Sequence, residues 1–113
     1  EATLADTPEA MFEHNLAFHK LVSEAARNRY LVKFLQSLSD TISAHRRVST
    51  LTSRKRRTEV LRDHRELVDA IASRDEERAR AVAVRHIQGA MQARLAMERS
   101  LAAAEAATAR AAG

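Results

Sequence analysis

The chain has 113 residues, of which 45% are hydrophobic and 30% charged; this composition favours one packed domain over simple disorder. Two glycines and one proline argue against turn-rich β-sandwiches and β-barrels, whereas the many alanine, leucine, glutamate and arginine residues favour helices. The lack of cysteine excludes disulfides and thiolate metal sites, and a net charge of +4 is compatible with an anionic partner without demonstrating one.

Two helices are predicted in the first half of the chain. The first begins at a Thr7 cap and carries an apolar stripe, with residues three or four apart, from Phe12 to Ala26. Asn28 is predicted to cap the second helix, whose apolar stripe runs from Tyr30 to Ile42. The hydroxyl-rich residues 49–53 that follow are predicted to be the longest loop.

Two more helices are predicted in the second half. A third carries apolar residues between Val60 and Ile71 and stops near Ser73, where residues 73–76 form a capping box for the fourth. Beyond residue 101 the alanine-rich tail, residues 102–113, is expected to fray or to pack only against another chain. The sequence therefore predicts an all-α fold, an antiparallel bundle of about four helices that forms a single domain.

Three histidines lie on the apolar stripes of three different predicted helices, where leucine would be the ordinary residue. They are His19, His64 and His86, and Asn15 lies one helical turn before His19 on the same face. One inward histidine is usually a hydrogen-bonded core residue, but three buried imidazoles are costly unless all find partners. One divalent cation would satisfy them together most simply.

The type of donor indicates which cation to expect. Neutral imidazole suits zinc, nickel, copper or iron(II), whereas calcium and magnesium prefer oxygen ligands. Three histidines and the side-chain oxygen of Asn15 leave one or two coordination positions open. Because all these donors are neutral, the cation keeps its full charge and attracts a carboxylate.

Four segments of the chain occur in a characteristic order and spacing: Asn15-Leu16-Ala17-Phe18-His19, Ala26-Arg27-Asn28, Asp63-His64-Arg65-Glu66-Leu67-Val68-Asp69-Ala70-Ile71, and Val84-Arg85-His86-Ile87. In order, spacing and flanking residues they resemble the FCD domain. That domain is the C-terminal ligand-binding domain of FadR-type regulators in the GntR family of transcription regulators. The resemblance covers about residues 8–101.

The resemblance implies a metal-binding subgroup in which Asn15, His19, His64 and His86 hold a divalent metal, often zinc or nickel. It also implies a small organic acid bound at the metal, which modulates DNA binding by a homodimeric regulator. Without cysteine and without an apolar run long enough to span a bilayer, the protein is expected in the cytoplasm, away from membranes.

Two departures from the family pattern change these expectations. Asn15 stands where aspartate is more frequent, so we expect weaker metal binding and a stronger attraction for an anion. The one or two helices and the winged helix-turn-helix that usually come first have no counterpart, so we expect DNA contact only through that missing domain.

Other polar residues are weaker candidates. Arg85 and Tyr30 are possible effector contacts, although both also fit a surface or core-edge role. Glu66 is predicted to pair at the surface with an arginine, Arg62 or Arg65, rather than to orient a histidine. The basic residues between 46 and 57 are predicted to form a solvated loop, the alternative being contact with phosphates or with the missing domain.

Two other functions remain open on the residues alone. One is a small histidine-ligated metalloenzyme, since an open metal position can activate water. We expect no Glu or Asp beside the histidines to act as a general base, which argues against it. The other is a metal-free helical dimerisation module.

Overall fold

The structure, a computed structural model, describes residues 6–45 and 49–113. These residues form four helices and a short 3-10 turn: α1 (Pro8–Ala25), α2 (Arg29–His45), the 3-10 turn (Thr50–Thr52), α3 (Arg54–Ala72) and α4 (Glu76–Ala112). The described residues contain no strand, and the prediction of an all-α helical bundle is confirmed.

The chain divides into two compact units, the first ending at Thr58 and the second beginning at Glu59. The first unit contains α1, α2, the 3-10 turn and the first turn of α3, and the second contains the rest of α3 and α4. That residues 1–113 make a single domain stays a prediction.

Asn28 ends the turn between α1 and α2, which pack against each other. The chain reverses at Arg27, whose φ is 50°. The side-chain oxygen of Asn28 then accepts hydrogen bonds from the backbone N–H groups of Tyr30 and Leu31, both at 3.1 Å. These donors are the first that a new helix leaves unsatisfied, so the predicted cap at Asn28 is confirmed.

Thr7 is the N-cap residue of α1, as predicted, but not through its side chain. Its side chain makes no capping hydrogen bond, and only its backbone carbonyl accepts, from the N–H of Met11 at 3.2 Å. Pro8 explains why the helix still begins here, because its fixed φ suits the first helical position and it has no N–H to satisfy.

The predicted capping box at residues 73–76 is also wrong. The hydroxyl of Ser73 donates to two carbonyls in the last turn of α3, at 2.8 and 3.1 Å. Asp75 caps α4 instead, and its carboxylate accepts from the N–H three residues later at 3.0 Å. A carboxylate binds such an N–H more strongly than a hydroxyl does, so the cap lies two residues later than predicted.

The basic segment before α3 is not the solvated loop that the sequence predicts. Arg56 and Arg57 are buried in the first turn of α3. A guanidinium nitrogen of Arg57 donates to the carbonyls of Leu51 and Thr52, at 2.8 and 2.7 Å, and so joins α3 to the 3-10 turn. Arg46 and Arg47, the other part of the prediction, lie outside the described residues.

The core matches the predicted stripes better on α3 and α4 than on α1 and α2. Val60, His64, Val82 and His86 are buried as predicted. Several other members of the predicted stripes are exposed: Phe12, Leu16, Tyr30, Leu31, Phe34, Leu35, Leu38, Val68 and Ile71. These residues are exposed because the apolar stripe of each helix is wider than the surface that a neighbouring helix covers.

The end of α4 remains helical. The alanine-rich residues after 101 continue the helix to Ala112 and do not fray. The other expectation, that they pack against another chain, stays a prediction. Among the described residues, no helix combines the length and the apolar character needed to cross a membrane.

Candidate metal centre

The predicted ligands come from both units. Asn15 and His19 lie one turn apart on α1, in the first unit. His64 on α3 and His86 on α4 lie in the second unit, where they are only 3% and 6% exposed. The second unit therefore contains two of the predicted ligands, both buried.

His64 and His86 contact each other. Their ring centroids are 5.0 Å apart and the ring planes make an angle of 58°, and a ring nitrogen of one lies within 4.8 Å of a ring nitrogen of the other. Two nitrogens that bind one zinc ion at about 2.1 Å each lie roughly 3.4 Å apart in a tetrahedral site. The spacing of the two rings is therefore compatible with a shared ion.

Helical periodicity brings the two rings together. Val60 and His64 are four residues apart on α3, and Val82 and His86 are four residues apart on α4, so each histidine shares the buried face of its helix with a valine. The turn at residues 73–75 reverses the chain, and α4 returns along α3.

Asp63 adds a carboxylate to this pair. It is 3% exposed, and its Oδ2 lies 3.4 Å from Nδ1 of His86. Its Oδ1 accepts hydrogen bonds from Nη2 of Arg85 at 2.8 Å and from Nη2 of Arg62 at 3.2 Å. A carboxylate therefore lies directly beside His86, and that no residue acts as a general base here stays a prediction.

The sequence did carry a signal for Asp63. It follows Val60 by three residues and precedes Leu67 by four, so it lies on the same stripe as His64. A carboxylate at such a position is expected to have hydrogen-bond or ion-pair partners, because few carboxylates are buried without them.

Arg85 and Glu66 complete the polar cluster. Nη2 of Arg85, which is half-exposed, donates to Glu66 Oε2 at 2.7 Å as well as to Asp63. Arg62 also lies 3.9 Å from Glu66, so the predicted surface pair of Glu66 with Arg62 is present, but Arg85 is the closer partner. The hydrogen bonds to Glu66 and to Asp63 raise the pKa of the Arg85 guanidinium above its usual value.

The charge of Asp63 is set by two opposing effects. Burial by itself raises the pKa of the carboxyl group, but the hydrogen bonds from Arg85, Arg62 and His86 outweigh it and hold the pKa below the usual 3.8. Asp63 is therefore ionised at neutral pH and is a weak base. It is better suited to holding a histidine ring than to accepting a proton from a reacting group.

Tyr30, the second candidate effector contact, lies in the first unit at the beginning of α2. It is 69% exposed, its hydroxyl accepts a hydrogen bond from Nη2 of Arg29 at 2.9 Å, and the same guanidinium lies over its ring. The structure thus places Tyr30 at the surface beside a cation, and its contact with an effector stays a prediction.

A model of the FCD domain family matches residues 1–89, a segment that contains all four predicted ligands and the Asp63 cluster. No curated protein and no solved structure matches the chain significantly.

Proposed function

The chain belongs to the FCD domain family, and from this we propose that it senses a small carboxylate through a divalent metal ion. The family assignment indicates a ligand-sensing domain of a GntR-family transcription regulator rather than an enzyme. The observation that carries the metal-binding part of the proposal is the buried contact between His64 and His86.

We propose four ligands for the ion, Asn15, His19, His64 and His86, and zinc or nickel as the metal. The contact of His64 with His86 supports the last two. Asn15 and His19 are included because of their motif, whose spacing resembles that of the family. Bound to these neutral donors, a divalent cation supplies an uncompensated positive charge that attracts a carboxylate.

The charges around the histidine pair do not oppose an anionic effector. Asp63 and Glu66 would repel a carboxylate if they stood alone, but Arg85 and Arg62 form ion pairs with both. The cluster is thus neutral as a whole, and a charge on the metal ion would not be offset by it.

In this proposal the domain works as a switch for a separate DNA-binding domain. An acid that binds one conformation more tightly shifts the population toward that conformation. A winged helix-turn-helix domain of a cytoplasmic homodimer would carry the change to DNA.

Metal analysis of protein purified without chelator tests the proposal. We expect about one divalent transition-metal ion per chain, and we expect His64→Ala to lose it because a buried ligand is removed. His14→Ala is the matched control, since His14 is not among the proposed ligands, and it should keep the ion. Full metal content in His64→Ala would contradict the ligand assignment.

A thermal-shift screen of dicarboxylates, hydroxy acids and sugar acids tests the effector. A ligand at about a hundred times its Kd stabilises the folded state by about 2.7 kcal/mol, and the shift should shrink once the metal is stripped. An unchanged acid affinity after stripping would place the effector away from the metal.

Turnover of an ester or amide by metal-loaded protein would instead favour a metalloenzyme, and a metal-free dimer that binds no acid would favour a dimerisation module.

A further inference from the structure

We propose that Asp63 is the positioning residue for His86: its carboxylate accepts the Nδ1–H of that ring and so leaves Nε2 as the atom with the free lone pair. Arg85, with Glu66 and Arg62, holds the carboxylate in place. The inference rests on the proposed function in one respect, that the lone pair on Nε2 is the one offered to a metal.

The first step is the contact between the carboxylate and the ring. Asp63 Oδ2 and His86 Nδ1 are 3.4 Å apart, and both side chains are more than nine-tenths buried. A carboxylate accepts hydrogen bonds and donates none when it is ionised. A neutral His86 ring beside it therefore carries its proton on Nδ1.

The second step explains why Oδ2, and not Oδ1, faces the ring. Oδ1 already accepts from Arg85 at 2.8 Å and from Arg62 at 3.2 Å. Arginine only donates hydrogen bonds, so the side of Asp63 that faces the two guanidinium groups must be an acceptor. The arginines thereby fix which oxygen remains for His86.

The third step links the arrangement to sequence order. Asp63 and His64 are neighbours on α3, and Arg85 and His86 are neighbours on α4, so the same helix contact that pairs the two histidines also pairs the aspartate with the arginine. Glu66, one turn further along α3, accepts from the same Arg85 nitrogen at 2.7 Å. The guanidinium is thus held between two carboxylates.

The consequence for metal binding follows from the general behaviour of histidine ligands. A ligating imidazole usually donates its other N–H to a carboxylate or a carbonyl, and the loss of that partner costs about 10- to 100-fold in metal affinity. Asp63 supplies this partner for His86.

The sharpest test is Asp63→Asn, because the new side chain has the same shape but only one oxygen. That oxygen must face the two arginines, so the amide –NH₂ faces Nδ1 of His86 and forces the ring proton to Nε2. We expect the His86 tautomer, read from ¹⁵N NMR of the metal-free full chain, to change from Nδ1–H in the wild type to Nε2–H in the variant. We expect the affinity for Zn²⁺ in a chelator competition to fall about 10- to 100-fold.

Asp69→Asn is the matched control, since it makes the same substitution on the same helix at an exposed position; it should change neither the tautomer nor the affinity. Arg85→Met removes one of the two arginines that hold Asp63, leaves Arg62 in place, and should weaken Zn²⁺ binding less than Asp63→Asn does.

The outcomes for the two proposals can be distinguished because the tautomer is read without metal. A wild-type His86 protonated at Nε2, or an Asp63→Asn variant that keeps the Nδ1–H tautomer, would overturn this inference. Wild-type protein that binds no metal while its His86 carries the Nδ1 proton would contradict the proposed function and leave the role of Asp63 in fixing the tautomer intact.

Discussion

The carboxylate of Asp63 shows how one residue connects stability and the candidate metal centre. It is buried, it contacts His86, and it accepts from two arginines of the same unit. Hydrogen bonds to a charged group are worth about 1.5–3 kcal/mol, and a buried carboxylate left without them is strongly destabilising. The cluster therefore matters to folding whether or not a metal is bound.

The lowered pKa of Asp63 gives a pH dependence with a definite sign. Because the folded state lowers this pKa below 3.8, it favours the ionised carboxylate. The resulting stability is fully present at neutral pH and is lost as the pH falls below 3.8 through the lower folded value.

We therefore expect the free energy of unfolding of the metal-free wild type to drop more steeply between neutral pH and about pH 2 than that of Asp63→Asn. Urea unfolding followed by circular dichroism at the two pH values measures both slopes, and Asp69→Asn should follow the wild type because it retains Asp63. Equal slopes for the wild type and Asp63→Asn would show that this carboxyl group contributes no acid sensitivity.

At the scale of elements, the position at which a helix begins depends on which side chain can hydrogen-bond the backbone N–H groups of its first turn. Asn28 and Asp75 cap α2 and α4 by accepting backbone N–H groups. Arg57 supplies the opposite kind of partner, a buried cation that donates to two carbonyls of the 3-10 turn. The side chain of Arg57 thus ties the beginning of α3 to the 3-10 turn that precedes it.

We predict that Arg57→Met destabilises the protein by about 1–3 kcal/mol, because the carbonyls of Leu51, which is buried, and Thr52 lose their donor. Arg54→Met is the matched control. Arg54 is largely exposed and forms an ion pair with Asp6 at 3.1 Å, an interaction worth about 1 kcal/mol or less. Urea unfolding gives both values, and a loss at Arg57 no larger than at Arg54 would contradict this role.

At the scale of the whole molecule, buried and exposed residues are distributed unevenly along the chain. Among the residues whose burial the structure describes, the buried ones lie between Met11 and His86, whereas residues 102–113 are all exposed although most of them belong to α4. Many large apolar side chains are also exposed, among them Tyr30, Phe34 and Ile87. Such surfaces are often covered by other chains, in keeping with the proposed homodimer.

We expect deletion of residues 102–113 to leave the Zn²⁺ affinity unchanged and to change the free energy of unfolding by no more than about 0.5 kcal/mol, as for other exposed positions. Chelator competition and urea unfolding of the shortened chain, beside the full chain, measure the two quantities. A tenfold loss of Zn²⁺ affinity would show that the end of α4 supports the metal centre.

Local chemistry determined what the sequence could predict by itself. The scarcity of glycine and proline and the three- and four-residue spacing of apolar residues predicted four helices, because helix formation depends on neighbours within about one turn. The same spacing placed His64 and His86 on buried faces. Where two nearby residues competed for one cap, as Ser73 and Asp75 did, spacing could not decide, because both are good caps.

Only the tertiary structure decided the partners of the charged residues. Asp63 and Arg85 are 22 residues apart and meet because α4 returns along α3 in one particular register. Burial then makes their pairing necessary, since a carboxylate in a poorly hydrated place needs donors that only another helix can bring. The sequence by itself determined which residue types could hold a metal, and the packing of α3 against α4 decided which carboxylate orients the histidine.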